Sequence, residues 1–206
     1  MYKQQIIEIG KRLYSRNLTI GTSGNISVKS EEGIYITASG TCLSNLKEED
    51  IVLIDFDGNE LSKVKASSEK MLHSEIYKLR PDVKAIIHTH PEYLTSFAAC
   101  HQKLDEPIMS ENILYFEDIP VAEYAMPSSK ELVDNTVKYL TNRDVVMMAN
   151  HGAISVADNL EHAFVKMETA EYYAKVTINT KIIGHAKLLS KKDVEDLLVL
   201  KKLMGK

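Results

Sequence analysis

Only two cysteines, Cys42 and Cys100, occur in the chain, and they lie in unrelated stretches. A disulfide framework is thereby excluded as the basis of the fold, and a reducing compartment is expected. Long apolar runs are missing too: the longest covers a few residues, against the roughly 20 needed to span a bilayer. The opening stretch MYKQQIIEIGKRLYSR carries charge throughout and lacks the uninterrupted apolar segment of a signal peptide. A cytoplasmic location without a membrane partner is the expectation. Basic clusters are likewise absent. Lys and Arg are scattered along a chain of net charge −4, leaving no electrostatic footprint for nucleic acid or an anionic membrane. No repeat, low-complexity tract or linker interrupts the sequence.

What is present is enough chain for one sizeable core: 206 residues, 44% hydrophobic. One domain over residues 1–206 is expected. Tyr2, Ile6, Ile9 and Leu13 recur at helical spacing, predicting an amphipathic first helix. Gly21-Thr22-Ser23-Gly24-Asn25 then leads into a strand. It reads either as an ordinary turn or as a loop whose amides, with the Asn25 side chain, cup an anion. Ile34–Thr37 and Ile51–Phe56 read as strands, separated by the hydroxyl-rich turn Ala38-Ser39-Gly40-Thr41. Asp57-Gly58 signals a tight turn, so this region is expected to be an antiparallel meander.

Ser67 and Ser68 open a helix predicted to run to Arg80. Serines there serve as N-caps, and the same helix terminus can also hold an anion. Glu69 suits the first turn electrostatically and can pair with His73 on the helix surface. Aimed at a substrate instead, it is a candidate general base. Residues 107–118 are expected to be loop and a short strand, and Pro120 marks the following strand as an edge. Ser128 with Glu131 and Asp158 with Glu161 are the expected starts of two later helices. His162 falls on the surface of the second, and a last helix begins at Lys191. Strands between helices, with at least one hairpin, predict a three-layer α/β/α sandwich on a largely antiparallel central sheet.

The densest chemistry lies in VKAIIHTHPEY. Alternate side chains of a strand share a face, so His88 and His90 point the same way before Pro91 ends the strand. Such a pair is either two histidines in a turn or two nitrogen ligands for one transition metal. His151 follows a buried apolar strand, beside Gly152, and is a third candidate ligand. Three protein nitrogens leave one position on zinc for substrate, the pattern of a catalytic site. A metal so held acts as a Lewis acid toward carbonyl and hydroxyl oxygens, and a nearby glutamate can move the proton.

The ordered segments GTSGN, TASG, SSEKMLH, HTHP and NHG resemble the class II aldolase/adducin family, from about residue 4 to 180. That resemblance implies Zn2+, or another divalent transition metal, on His88, His90 and His151. It implies Glu69 as the acid/base, and a substrate phosphate held by Gly24, Asn25, Ser39, Gly40, Ser67 and Ser68. It also implies retro-aldol cleavage of a ketose 1-phosphate to dihydroxyacetone phosphate and a short aldehyde, after the pattern of the family's fuculose phosphate aldolases. A homotetramer with active sites between subunits is implied as well. Those aldolases carry a tyrosine acid in the loop after the HxH helix, where Pro107 to Asn112 has none. Glu111, brought from a neighbouring subunit, is expected to replace it. Their C-terminal tyrosine also has no match in LLVLKKLMGK. Family epimerases of the ribulose phosphate type place aspartate where Glu69 stands, and a dehydratase or decarboxylase acting on a sugar phosphate is a further alternative. Adducin-type interaction modules have lost the histidines that are all present here.

Overall fold

The computed structural model describes residues 1–204. Helix α1 (Tyr2–Ser15) buries Ile6, Ile9 and Leu13, the apolar stripe legible in its spacing. Strands β1 (Asn25–Lys29), β2 (Ile34–Thr37) and β3 (Ile51–Ile54) form the expected antiparallel meander. Next come α2 (Lys70–Leu79), β4 (Ala85–Thr89), α3 (Glu92–Ala99), α4 (Ser110–Tyr115) and β5 (Val121–Ala122). The chain closes with α5 (Lys130–Val137), β6 (Val145–Met148), β7 (Gly152–Ala157), α6 (Leu160–Ile183) and α7 (Lys191–Leu203). One seven-stranded sheet runs in the order β3-β2-β1-β4-β7-β6-β5. Every pairing in it is antiparallel except β5 with β6. Pro120, lacking an N–H, immediately precedes β5 at the sheet edge, where no partner strand needs that donor.

Alternation along the strands divides the core in two. Ile26 and Val28 of β1, Ala85 and Ile87 of β4, and Val145 and Met147 of β6 face one side. There they pack against Ile6 and Leu13 of α1, Leu94 and Phe97 of α3, and Phe164 and Met167 of α6. The intervening residues Ile86, Val146, Met148, Ile154 and Val156 face the other side. They meet Leu72, Ile76 and Tyr77 of α2 and Leu132 and Val133 of α5. The result is the three-layer α/β/α sandwich on a largely antiparallel sheet. β4 is its central strand, paired along both edges and covered on both faces, so side chains planted on it have little freedom.

Local chemistry moves several boundaries away from the expectation. Residues 110–115 are helical rather than loop and strand. The Met109 N–H donates to Asn112 Oδ1 at 2.9 Å, capping α4, while Ile113 and Phe116 are drawn into the core. Ser129, not Ser128, caps α5 by accepting from Leu132 N, and Ser128 takes a left-handed φ of 66° just outside. Asn159 rather than Asp158 caps α6, accepting from His162 N at 2.8 Å. Among the described residues no helix is long and apolar enough to cross a membrane.

Gly10 sits inside α1 where a Cβ would lie 2.5 Å from the Leu43 carbonyl oxygen. Alanine ordinarily stabilises a helix interior over glycine by about 1 kcal/mol. Here the clash is with backbone and dominates. Gly10→Ala is therefore expected to lower the thermal unfolding midpoint, and a raised midpoint would contradict the packing described.

Candidate metal centre

His88 occupies the penultimate position of β4, on the α2 side with Ile86, and His90 follows two residues later on the same side. His151 comes from the tight turn joining β6 to β7, where Asn150 adopts φ 54° and His151 N donates to Met148 O. Pairing of Thr89 with Ala153 brings this turn beside the end of β4. Gly152 makes the approach possible: a Cβ there would lie 2.5 Å from His90 Cδ2 and 2.6 Å from Thr89 O. The three rings meet pairwise with centroids 4.9 Å apart. Their candidate ligand atoms all lie within 4.8 Å of one another, the one such cluster among the described residues.

Hydrogen bonding indicates which nitrogens face inward. His88 donates Nδ1–H to Ala153 O at 2.9 Å, leaving Nε2 unprotonated in the neutral ring. That Nε2 lies 3.1 Å from His90 Nε2 and 3.1 Å from Glu69 Oε2. Glu69 Oε1 faces His151 Nε2 at 3.5 Å and, although buried, accepts no hydrogen bond among the described residues. Lone pairs so crowded repel unless a proton or a metal cation lies between them. The donor set fits a divalent transition metal. Burial, reinforced by its imidazole neighbours, pushes His90 down to about 3 and lowers His151, favouring the unprotonated rings a metal requires. Burial works to raise the Glu69 carboxyl, but His88 and the Asn25 amide outweigh it and hold the group down at about 2.

These four side chains line one cavity of about 170 Å³ together with Gly24, Asn25, Ser39, Gly40, Ser67 and Ser68. Thr22 and Pro127 also line it, and sequence reasoning had not singled either out. A larger hollow of about 1020 Å³ lies between α1 and the far ends of β1 and β7, away from all three histidines. Size alone does not mark the chemistry here. Ser39 N and Ser67 N donate to Lys65 O and Thr37 O, stitching the two small-residue loops together. The amides of Gly40 and Ser68 donate to nothing among the described residues, and Gly40 adopts φ 76°. Such amides, beside hydroxyls at a helix start, suit an anion. Helix α2 begins later than expected, with Glu69 at its N-cap position and Ser67 Oγ accepting from Glu69 N. Glu111 lies outside the cavity, exposed on α4.

His73 overturns the expected surface pair with Glu69. It is fully buried, with Nε2 2.5 Å from Asn25 Oδ1 and Nδ1 2.6 Å from Ser27 Oγ. Asn25 in turn donates Nδ2–H to Glu69 Oε2 at 2.9 Å. A helical spacing of four had suggested only a solvent-side contact, because the facing polar strand residues are distant in sequence.

Residues 4–178 match the family described as Class II Aldolase and Adducin N-terminal domain. The chain belongs to the class II aldolase family. An L-fuculose phosphate aldolase of Methanocaldococcus jannaschii is 38% identical over 178 residues, covering 86% of this chain and 96% of that protein. A 5-deoxy-D-ribulose 1-phosphate aldolase of Bacillus thuringiensis is 35% identical, covering 95% and 92%. A solved L-fuculose 1-phosphate aldolase superposes with TM-score 0.90 at 36% identity, covering 98% and 96%. This class II aldolase is thus a lyase-type enzyme of a metal-dependent family, and its histidine trio is the arrangement able to hold the metal.

Burial holds His73 neutral, lowering it to about 3 from an ordinary value near 6.5. Between those values the unfolded chain binds one more proton at this ring than the folded chain, so folding weakens as pH falls. The slope from this group approaches about 1.4 kcal/mol per pH unit. Denaturant titrations from pH 7 to about 4 are expected to show a shallower loss of stability in His73→Gln than in the parent. Identical slopes would contradict a buried neutral His73.

Proposed function

We propose that this class II aldolase cleaves a ketose 1-phosphate, of the L-fuculose 1-phosphate kind, into dihydroxyacetone phosphate and a short aldehyde. The carrying observation is that one cavity joins the three histidines and Glu69 to an amide- and hydroxyl-lined end. Zinc is the metal we assign to His88, His90 and His151, and bound there it supplies Lewis acidity toward the substrate oxygens. The chain's own groups do the rest. Gly40 and Ser68 amides, with the Ser39, Ser67 and Ser68 hydroxyls, hold the phosphate and fix the sugar's reactive carbons beside Glu69. Gly24 and Asn25 border the same end of the cavity. In cleavage the bond between the carbon next to the carbonyl and the hydroxyl-bearing carbon beyond it breaks. The hydroxyl gives up its proton to a second acid/base group as the aldehyde forms, and Glu69 delivers a proton to the carbon left next to the carbonyl. In condensation Glu69 takes that proton back from dihydroxyacetone phosphate, with Oε1 as the free oxygen. Glutamate rather than aspartate at this position favours the aldolase over a ribulose-phosphate 4-epimerase, the alternative reading.

The same reading places the enzyme in the cytoplasm as a homotetramer with active sites between subunits. Glu111, exposed on α4, is the acid that such an assembly would carry to a neighbour's cavity. Two substitutions test the core of the proposal. Glu69→Gln should keep its full metal content yet slow proton exchange on dihydroxyacetone phosphate by about a hundredfold or more. Unimpaired exchange would remove Glu69 from the mechanism. Ser68→Ala should raise KM for phosphorylated ketoses by about tenfold while leaving unphosphorylated ketoses unaffected. Equal loss for both would reduce Ser68 to a helix-capping role.

A further inference from the structure

Behind Glu69, five buried polar groups form a single hydrogen-bonded file. Asn25 and Ser27 are alternate residues of β1, and Glu69 at the N-cap of α2 is followed at intervals of four by His73 and Tyr77 within the helix. Two strand residues advance about 6.6 Å and four helical residues about 6 Å, so the two polar rows stay in step. The contacts run Glu69 Oε2 to Asn25 Nδ2 at 2.9 Å, Asn25 Oδ1 to His73 Nε2 at 2.5 Å, His73 Nδ1 to Ser27 Oγ at 2.6 Å, and Ser27 Oγ to Tyr77 OH at 2.8 Å. Exposure of the five residues ranges from 0% to 6%, so water cannot substitute for a missing partner.

One end fixes the direction of the whole file. An ionised carboxylate only accepts, so Asn25 must turn its NH2 toward Glu69 and its carbonyl toward His73. His73 must then donate from Nε2, which leaves Nδ1 of the neutral ring as an acceptor. Ser27 supplies that hydrogen and accepts in turn from the Tyr77 hydroxyl. No alternative orientation satisfies every group in the file.

The geometry points to His73 as a positioning residue of the reaction: locked by Ser27 and Tyr77 in its Nε2–H form, it orients the Asn25 amide so that Glu69 Oε2 stays engaged and only Oε1 exchanges protons. This inference rests on Glu69 as the proton carrier. Asn25 donates to Oε2 whether or not Oε1 is protonated, so the carboxyl plane stays fixed through the cycle. Without the His73 N–H, the buried Asn25 carbonyl loses its partner and the amide is free to flip, setting oxygen against oxygen at Glu69.

The test compares parent, His73→Phe and His73→Gln as metal-loaded full chains. The phenyl ring keeps the bulk without an N–H, whereas the glutamine amide can still donate to Asn25. His73→Phe is expected to retain its metal and its KM for the ketose phosphate, while kcat falls about ten- to hundredfold. His73→Gln should recover most of that loss. A kcat for His73→Phe equal to the parent's would overturn the inference, as would equal defects in both variants. Nitrogen NMR of histidine-labelled parent protein reads the tautomer without any variant having to fold. Protonated Nε2 and bare Nδ1 at His73 are expected, and the opposite tautomer overturns the proposal. Glu69→Gln separates the two failures: if it exchanges protons normally, the reading of the site falls. If it is inactive while His73→Phe turns over normally, only the file's role falls.

Discussion

Unshared electron pairs on imidazole nitrogens and a carboxylate do not tolerate one another at about 3–3.5 Å in a buried pocket unless a shared proton or a metal cation lies among them. His88, His90, His151 and Glu69 stand in that relation, and the surrounding fold holds them against it. The central strand of the sheet carries one histidine directly and aims the second. The neighbouring strand delivers the third through a turn that only glycine can bring so close. Helix α2, packed across the same face, supplies the carboxylate from its N-cap. The electrostatic cost of this crowding is what a bound divalent cation offsets, so metal affinity and the rigidity of β4 belong to one argument.

The polar file between β1 and α2 extends that argument away from the cavity. A sandwich of this kind normally buries apolar side chains between strand and helix, and Ile76 and Leu72 do so. Replacing part of that seam by asparagine, serine, histidine and tyrosine carries a desolvation penalty that full hydrogen bonding only balances. Its distinct product is orientation: a carboxylate with one oxygen tied and one free. Cavity loops and polar seam are therefore joined at Asn25, which lines the former and belongs to the latter.

Much of this was legible before any coordinates. The period-two placement of His88 and His90 follows from strand geometry alone, and strands set between helices predicted a sheet covered on both faces. The small-residue loops could be recognised as anion sites because glycine and serine leave amides accessible, although an ordinary turn reads the same way until the second loop is seen beside it. Convergence of His151 with the other two lay beyond local pattern, since it depends on the register between β4 and β7. The short helix α4 was missed because it is fixed by one Asn112 side-chain bond and by Phe116 entering the core, neither of which leaves a periodic trace. His73 was misplaced for a related reason. A histidine four residues from a glutamate looks like a surface pair until the strand carrying Asn25 and Ser27 is laid against it.

The most direct measurement of the central claim is an anomalous-scattering map from crystals of the protein as purified, collected on both sides of the zinc absorption edge. The account predicts one strong peak bonded at about 2.0–2.1 Å to Nε2 of His88, His90 and His151. A peak elsewhere, or rings turned apart around no scatterer, would contradict it.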